Sequence, residues 1–335
     1  MFNNKSILIS GGTGSFGSSM IKFICKNFKP KKLICYSRDE LKQYNLSNEL
    51  DENKNSFLRF FIGDVRDFSR LSLALKNVDY VIHAAALKHV PAAEYNPFEC
   101  IKTNINGTEN IVRASIENKV KKIITLSTDK ACNPINLYGA SKLAADKITI
   151  SANNYVGKSK TKLSVVRYGN VINSRGSVIP FFRKCLKENK PFPITDKNMT
   201  RFWITLNDAL RFVIWCMQDM KGGELYVPKL KSCFIKDLAK SISAKQKILY
   251  TGTRPGEKID ETLISSDESI NVIEFKKYYV VTPSINFFDY KKNYFINSTK
   301  EKGKKVSKGF SFNSLNNSDF LKFNDFKKYY DLKVK

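Results

Sequence analysis

Tyr138 and Lys142 stand four residues apart in Asn136-Leu137-Tyr138-Gly139-Ala140-Ser141-Lys142. On a helix that spacing brings both side chains to one face, one turn apart. A phenol with an ordinary pKa of ~10 becomes a usable base only when its anion is stabilised. The Lys142 ammonium would do that, and Thr128 supplies a third hydroxyl to the same reaction. Just after Thr128 come Asp129 and Lys130. The catalytic set expected from this spacing is Thr128, Tyr138 and Lys142.

Such chemistry needs a bound redox partner, and the N-terminus offers a place for one. Ile9-Ser10-Gly11-Gly12-Thr13-Gly14-Ser15-Phe16-Gly17 follows the apolar run Ser6–Ser10 and precedes an amphipathic stretch. Glycines at Gly11, Gly14 and Gly17 allow a tight turn and let backbone N–H groups approach a pyrophosphate. A dinucleotide is expected there, touching Thr13, Ser15 and Phe16 as well. The second apolar run ends in Ser37-Arg38-Asp39, with Lys42 one helical turn beyond Arg38. An acid at that place would bond the ribose hydroxyl of NAD, whereas Arg accommodates the 2′-phosphate of NADP. NADP is the expected cofactor, with Asp39 leaving NAD as the alternative. Asp64 and Val65 are placed for the adenine edge, Ala84 for the sheet edge beneath the cofactor, and Lys88 and Asn104 for its far side. His89 reads as a packed rather than a catalytic histidine.

Apolar runs at 6–10, 32–37, 57–63, 80–84, 123–127 and 163–168 read as buried parallel strands. Helical segments fit between them at 16–27, 40–50, 69–76, 98–118 and 138–153. Strand–helix alternation of this kind implies right-handed crossovers and an α/β doubly wound, Rossmann-like parallel sheet. Residues 1–168 form the expected cofactor domain, 169–300 a smaller substrate-binding portion, and 301–335 a polar, partly flexible tail. The 335 residues carry a formal net charge of +26, spread along the chain and mostly lysine. This dispersed excess, without Arg/aromatic interleaving, argues against nucleic acid. Seven cysteines without a CxxC pair argue against a disulfide framework or a zinc site. No apolar run approaches the ~20 residues of a membrane span, and no signal peptide opens the chain, so a cytoplasmic protein is expected.

Taken together, these motifs resemble the extended short-chain dehydrogenase/reductase superfamily over residues 5 to about 290. Simple epimerases of that superfamily need only Thr128, Tyr138 and Lys142, whereas its 4,6-dehydratases carry an Asp-Glu pair after the Thr. Here Lys130 replaces the Glu. That departure resembles the inverting UDP-N-acetylglucosamine 4,6-dehydratases of pseudaminic acid and flagellin glycosylation, as do the segments at 85–99, 127–142, 167–182, 199–205 and 254–258. The resemblance implies a lyase with internally recycled NADP, in which Lys130 removes the C5 proton and Asp129 protonates the departing C6 hydroxyl; from the helices on the open sheet faces a homo-oligomer is expected. It also implies that Lys88, Tyr138, Asn170, Ser177, Thr195, Arg201, Arg254 and Glu257 hold the nucleotide sugar, with the two arginines on the diphosphate. As a base, Lys130 would need a pKa depressed by burial or a neighbouring cation. A C4 epimerase and a non-catalytic NADP- or polyanion-binding protein are the alternatives.

Overall fold

A computed structural model describes residues 1–51, 54–157, 160–285 and 292–326. Six parallel strands, β1 (Ser6–Ser10), β2 (Lys32–Ser37), β3 (Leu58–Ile62), β4 (Tyr80–His83), β5 (Lys122–Thr128) and β6 (Lys162–Tyr168), lie in the order 6-5-4-1-2-3. Between them run α1 (Ser15–Asn27), α2 (Glu40–Asn48), α3 (Phe68–Ala74), α4 (Val90–Tyr95), α5 (Pro97–Ile101), α6 (Gly107–Glu117) and α7 (Leu137–Ser151). Strand order reverses between β1 and β4, so a crevice opens at their carboxyl ends. Alternate residues of one strand serve opposite faces: Ile7 and Ile9 pack with α1, and Leu8 packs with Leu71 of α3 and Ile111 of α6. Helices cover both faces, which is why these runs read as nearly continuous apolar segments.

Three expectations are corrected. β3 is half exposed rather than buried, because it pairs on one side only and forms the sheet edge. The helix expected over 98–118 is divided: α5 and α6 are separated by a widened π turn at Lys102–Asn106. Gly107 at its end packs so closely that an added Cβ would lie 2.7 Å from Val65 Cγ2. Finally, residues 301–326 are not a loose tail. Lys304–Lys305 pairs with Val272–Glu274 in the main sheet, Phe312–Asn313 pairs with Thr262–Ile264, and Phe312, Leu321 and Phe326 are buried. The tail beyond 326 lies outside the described residues.

Past β6 the main sheet continues through Leu225–Pro228, parallel to it, and then through antiparallel strands at Tyr278–Val281 and Val272–Glu274. A separate small core gathers Ile172, Phe182, Phe192, Trp203 and Leu238. It carries one wall of the cleft described below.

Candidate active site

The crevice between β1 and β4 is a cleft of about 310 Å³. Gly11, Thr13, Gly14, Ser37, Arg38, Asp39, Lys42, Asp64, Val65 and Ala84 line it. Gly11 has φ +66°, and a Cβ there would lie 2.8 Å from the Ala85 nitrogen. Only glycine lets that turn approach the sheet so closely. Asp39 caps α2 by accepting from the Lys42 N–H at 2.9 Å, and its other oxygen pairs with Lys42 Nζ at 2.5 Å. Thr103 also lines the cleft, and its buried Oγ1 has no partner among the described residues. A glycine cradle with an orphaned donor at the wall fits a dinucleotide.

Ser15, Phe16, Gly17 and Asn104 do not line that cleft. Ser15 Oγ accepts from the Arg175 N–H at 3.1 Å, and Phe16 stacks on Tyr168. Gly17 lets α1 start against the glycine turn, since its Cβ would sit 2.3 Å from Gly11 O. Asn104 is corrected to a positioning role. Its amide accepts from the Leu87 N–H at 2.8 Å and donates to Leu87 O and Ser141 Oγ, each at 2.9 Å, pinning the loop after β4 to α7.

Beyond the end of β5 a tight turn over Asp129–Ala131 faces the start of α7, which Asn136 caps by accepting from the Gly139 N–H at 2.7 Å. A Cβ on Gly139 would lie 2.2 Å from Lys130 O. That contact brings the first turn of α7 against the Thr128–Lys130 segment. Thr128 bonds to the Tyr138 phenol, and its hydroxyl donates to Asp129 Oδ1 at 3.0 Å. Burial pushes the Tyr138 phenol up to about 12, against the pull of Lys130 and Thr128. Lys142, also buried, has its pKa lowered by burial and partly restored by Asp146. Gly139→Ala is expected to destabilise the fold by about 1–3 kcal/mol of overpacking and to depress turnover more than cofactor affinity. Thermal melts and steady-state kinetics test this, and a wild-type kcat would show that the close approach is dispensable.

Lys130 overturns one expectation. Burial alone would lower its pKa, but Asp129 Oδ1 and Glu261 Oε1, each 3.0 Å from Nζ, outweigh burial and raise it. The nearest fixed charges are carboxylates, not the cation expected, so they favour Lys130 as an ammonium.

Next to this turn lies a second cleft of about 680 Å³, walled by the smaller core. It brings together Lys88, Lys130, Asn170, Ser177, Thr195, Arg201, Arg254 and Glu257. Ser177 starts the helix Val178–Lys187, and its buried Oγ has no partner among the described residues. Arg201 differs from expectation. Its guanidinium donates to the carbonyls of Thr200, Ile259 and Lys258 at 2.7–3.0 Å, which ties down the 254–261 wall. Arg254 is the exposed guanidinium of this wall and is better placed to meet a phosphate. Tyr138 is not among the residues lining this cleft, although Lys130 beside it is.

A family model described as polysaccharide biosynthesis protein matches residues 7–283. The chain belongs to that family of extended short-chain dehydrogenase/reductases. The inverting UDP-N-acetylglucosamine 4,6-dehydratase of Campylobacter jejuni (strain 81-176) is 54% identical over 95% of this chain and 94% of its own. The UDP-glucose 4-epimerase of Rickettsia bellii (strain OSU 85-389) is 42% identical over 90% of this chain and 89% of its own. Among solved structures, Pen from Bacillus thuringiensis superposes with a TM-score of 0.89 at 36% identity, covering 99% of each chain.

In this member of the family, two residues the sequence reading did not single out join the site. Arg175 lines the dinucleotide cleft, donates to Thr13 O at 3.3 Å and accepts at its own carbonyl from Lys88 Nζ at 2.9 Å. It thus bridges the two clefts. Glu261 is the other, and its only local signal was its place just past Arg254-Pro255-Gly256-Glu257-Lys258. His83 bonds to Ser10 and Thr108 and is held neutral by burial, with its pKa lowered to about 3. His89 directly precedes α4, makes no capping bond to it, and packs under Gly176 in the lining of the larger cleft. Burial raises the Cys132 thiol to about 12, so it is no thiolate. No His/Cys/Asp/Glu group suited to a metal occurs among the described residues, and no helix there is long and apolar enough to cross a membrane.

Proposed function

We propose that this enzyme is a C5-inverting UDP-N-acetylglucosamine 4,6-dehydratase that releases UDP-2-acetamido-2,6-dideoxy-β-L-arabino-hex-4-ulose and water. The observation that carries this reading is the Asp129–Lys130 ion pair, 3.0 Å long, in a segment that borders the larger cleft. An epimerase has no use for an acid–base pair there, whereas a dehydratase must move two protons at C5 and C6. The 54% identity to the inverting dehydratase, against 42% to the epimerase, favours the same side. By the same resemblance we assign the enzyme to the first step of pseudaminic acid synthesis, in the cytoplasm and as a homo-oligomer. Residues 1–168 would bind the cofactor and 169–300 mainly the sugar nucleotide.

NADP would be held by the Gly11–Gly17 turn, Ser37, Arg38, Lys42 and Thr103, with Arg175 closing the rim. When bound, the cofactor would supply a transient hydride store between C4 and C6. Tyr138 takes the C4 hydroxyl proton, with Thr128 fixing the phenol. Oxidation at C4 acidifies the C5 proton. One proton then crosses from Lys130 to Asp129, turning an ammonium–carboxylate pair into an amine and a carboxylic acid. The amine removes the C5 proton and the acid protonates the departing C6 hydroxyl. Both groups end in their starting charge states, so elimination borrows no outside proton. Reprotonation at C5 on the opposite face gives inversion, and the proton gained by Tyr138 balances the one delivered there. Arg254 and the N-terminus of the helix Val178–Lys187 suit the diphosphate, because a guanidinium and free helical N–H groups both donate to phosphate oxygens.

Incubation with UDP-N-acetylglucosamine in deuterated water, followed by NMR and mass spectrometry, tests the reading. The expected product is lighter by one water and carries deuterium at an inverted C5. An isobaric product would make the enzyme an epimerase, and absence of turnover with any UDP-sugar would leave a binding protein. For the cofactor, Arg38→Ala is expected to weaken NADP by about 10–100-fold and NAD little, the measure of a charge-assisted bond of about 1.5–3 kcal/mol. Equal affinity of the unaltered protein for both dinucleotides, by calorimetry, would defeat the NADP assignment.

A further inference from the structure

Lys130 Nζ is gripped from two sides, by Asp129 on its own turn and by Glu261 on the opposite wall, both at 3.0 Å. The Glu261 side chain is 2% exposed, lines the larger cleft, and keeps its second oxygen buried without a partner among the described residues. A buried carboxylate oxygen left unpaired is costly, so its retention needs an explanation. The backbone holds Glu261 firmly. Its N–H donates to Ser314 Oγ at 2.9 Å, the Ser314 N–H donates to Glu261 O at 2.8 Å, and Thr200 bonds the same Ser314 hydroxyl at 2.7 Å. Arg201 Nε stands 3.8 Å from the carboxylate Glu261 presents to Lys130. The C-terminal segment thus acts on the site, through Ser314.

We propose that Glu261 is a further positioning residue of the elimination step, holding Lys130 Nζ in place and setting the charge balance of the Asp129–Lys130 pair. This rests on the reading of Lys130 as the C5 base. The charged and titratable groups facing Lys130 are Asp129 from its own turn, Glu261 with Arg201 behind it, and Tyr138 from α7. Of these, Glu261 alone is an anion outside the proton exchange between Lys130 and Asp129. Its charge makes the proton of Lys130 harder to release, and its position keeps the freed amine from swinging away.

Glu261→Gln retains the shape and the backbone bonds to Ser314 while deleting the charge. In the full-length enzyme with NADP and UDP-N-acetylglucosamine, formation of reduced nicotinamide in the first turnover should stay within about threefold of the unaltered enzyme. The C5 deuterium-exchange rate at its pH optimum should fall about tenfold, as expected for a misplaced general base. With one carboxylate fewer, Lys130 releases its proton at lower pH, so the rise of C5 exchange with pH should move about one unit acidward. Glu261→Asp, which keeps the charge, should retain the original pH profile. Superimposable rates and pH profiles for Glu261→Gln would overturn the proposal, as would equal loss of nicotinamide reduction and C5 exchange. Lys130→Ala in the same assay separates the two readings. If it exchanges C5 normally, the base assignment itself fails; if it does not, an unaffected Glu261→Gln sinks only the role of Glu261.

Discussion

Tyr138→Phe is expected to lower turnover by about three orders of magnitude or more, at the upper end of what a general base contributes, with cofactor affinity changed less than about threefold. The substitution removes one oxygen from a side chain whose ring remains to fill the same space. That oxygen is bonded to Thr128, whose hydroxyl in turn donates to Asp129 Oδ1 at 3.0 Å. With the phenol raised to about 12 by burial, it rests protonated at pH 7. The catalytic event therefore depends on groups that stabilise the anion as it forms, Lys130 and Thr128, which pull against burial. Steady-state kinetics beside calorimetric cofactor titration checks this. A pure, folded Tyr138→Phe protein retaining a tenth of the activity would remove Tyr138 from the base role.

Lys130→Ala should split the reaction in two. Reduced nicotinamide should still form on adding substrate, though more slowly, because Tyr138 and Thr128 remain for C4 oxidation while the pull of Lys130 on the phenol is lost. Exchange of the C5 proton with deuterated solvent should fall by about 10²–10³-fold, the usual contribution of a positioned general base, and almost no dehydrated product should appear. The substitution also leaves Asp129 and Glu261 as buried carboxylates without their shared cation. Removing one partner of a buried ion pair costs about 3–5 kcal/mol, so a lowered melting temperature is expected alongside the kinetic split. Stopped-flow absorbance and NMR of recovered substrate read the two half-reactions separately. Wild-type C5 exchange in this variant would assign proton abstraction to another group and end the mechanism proposed above.

Much of this site could be read along the chain, because its parts are local. The Tyr138–Lys142 spacing implies one helical face wherever a helix forms, and α7 does form there, capped by Asn136. The Gly11–Gly17 turn works through backbone geometry that neighbouring residues dictate, and the strand runs needed only their apolar continuity to predict a doubly wound sheet. Even the departure at Lys130, where the superfamily's dehydratases carry Glu, stands out in the bare sequence. What it means for the proton did not. The charge state of Lys130 depends on Glu261, which is far along the chain and 3.0 Å away in space. Arg201 and Asn104 show the same limit: each is a plausible ligand contact by type, yet folding turns one toward the carbonyls of Thr200, Lys258 and Ile259 and the other toward Leu87 and Ser141. Residues 301–326 read as polar and loose because their few apolar side chains show no period, but Phe312 and Ser314 reach the site wall once the sheet edges are in place. Local patterns encode backbone shape, which neighbours along the chain control. Electrostatic partners and hydrogen-bond acceptors are set by contacts between distant segments, and these exist only after the chain has packed.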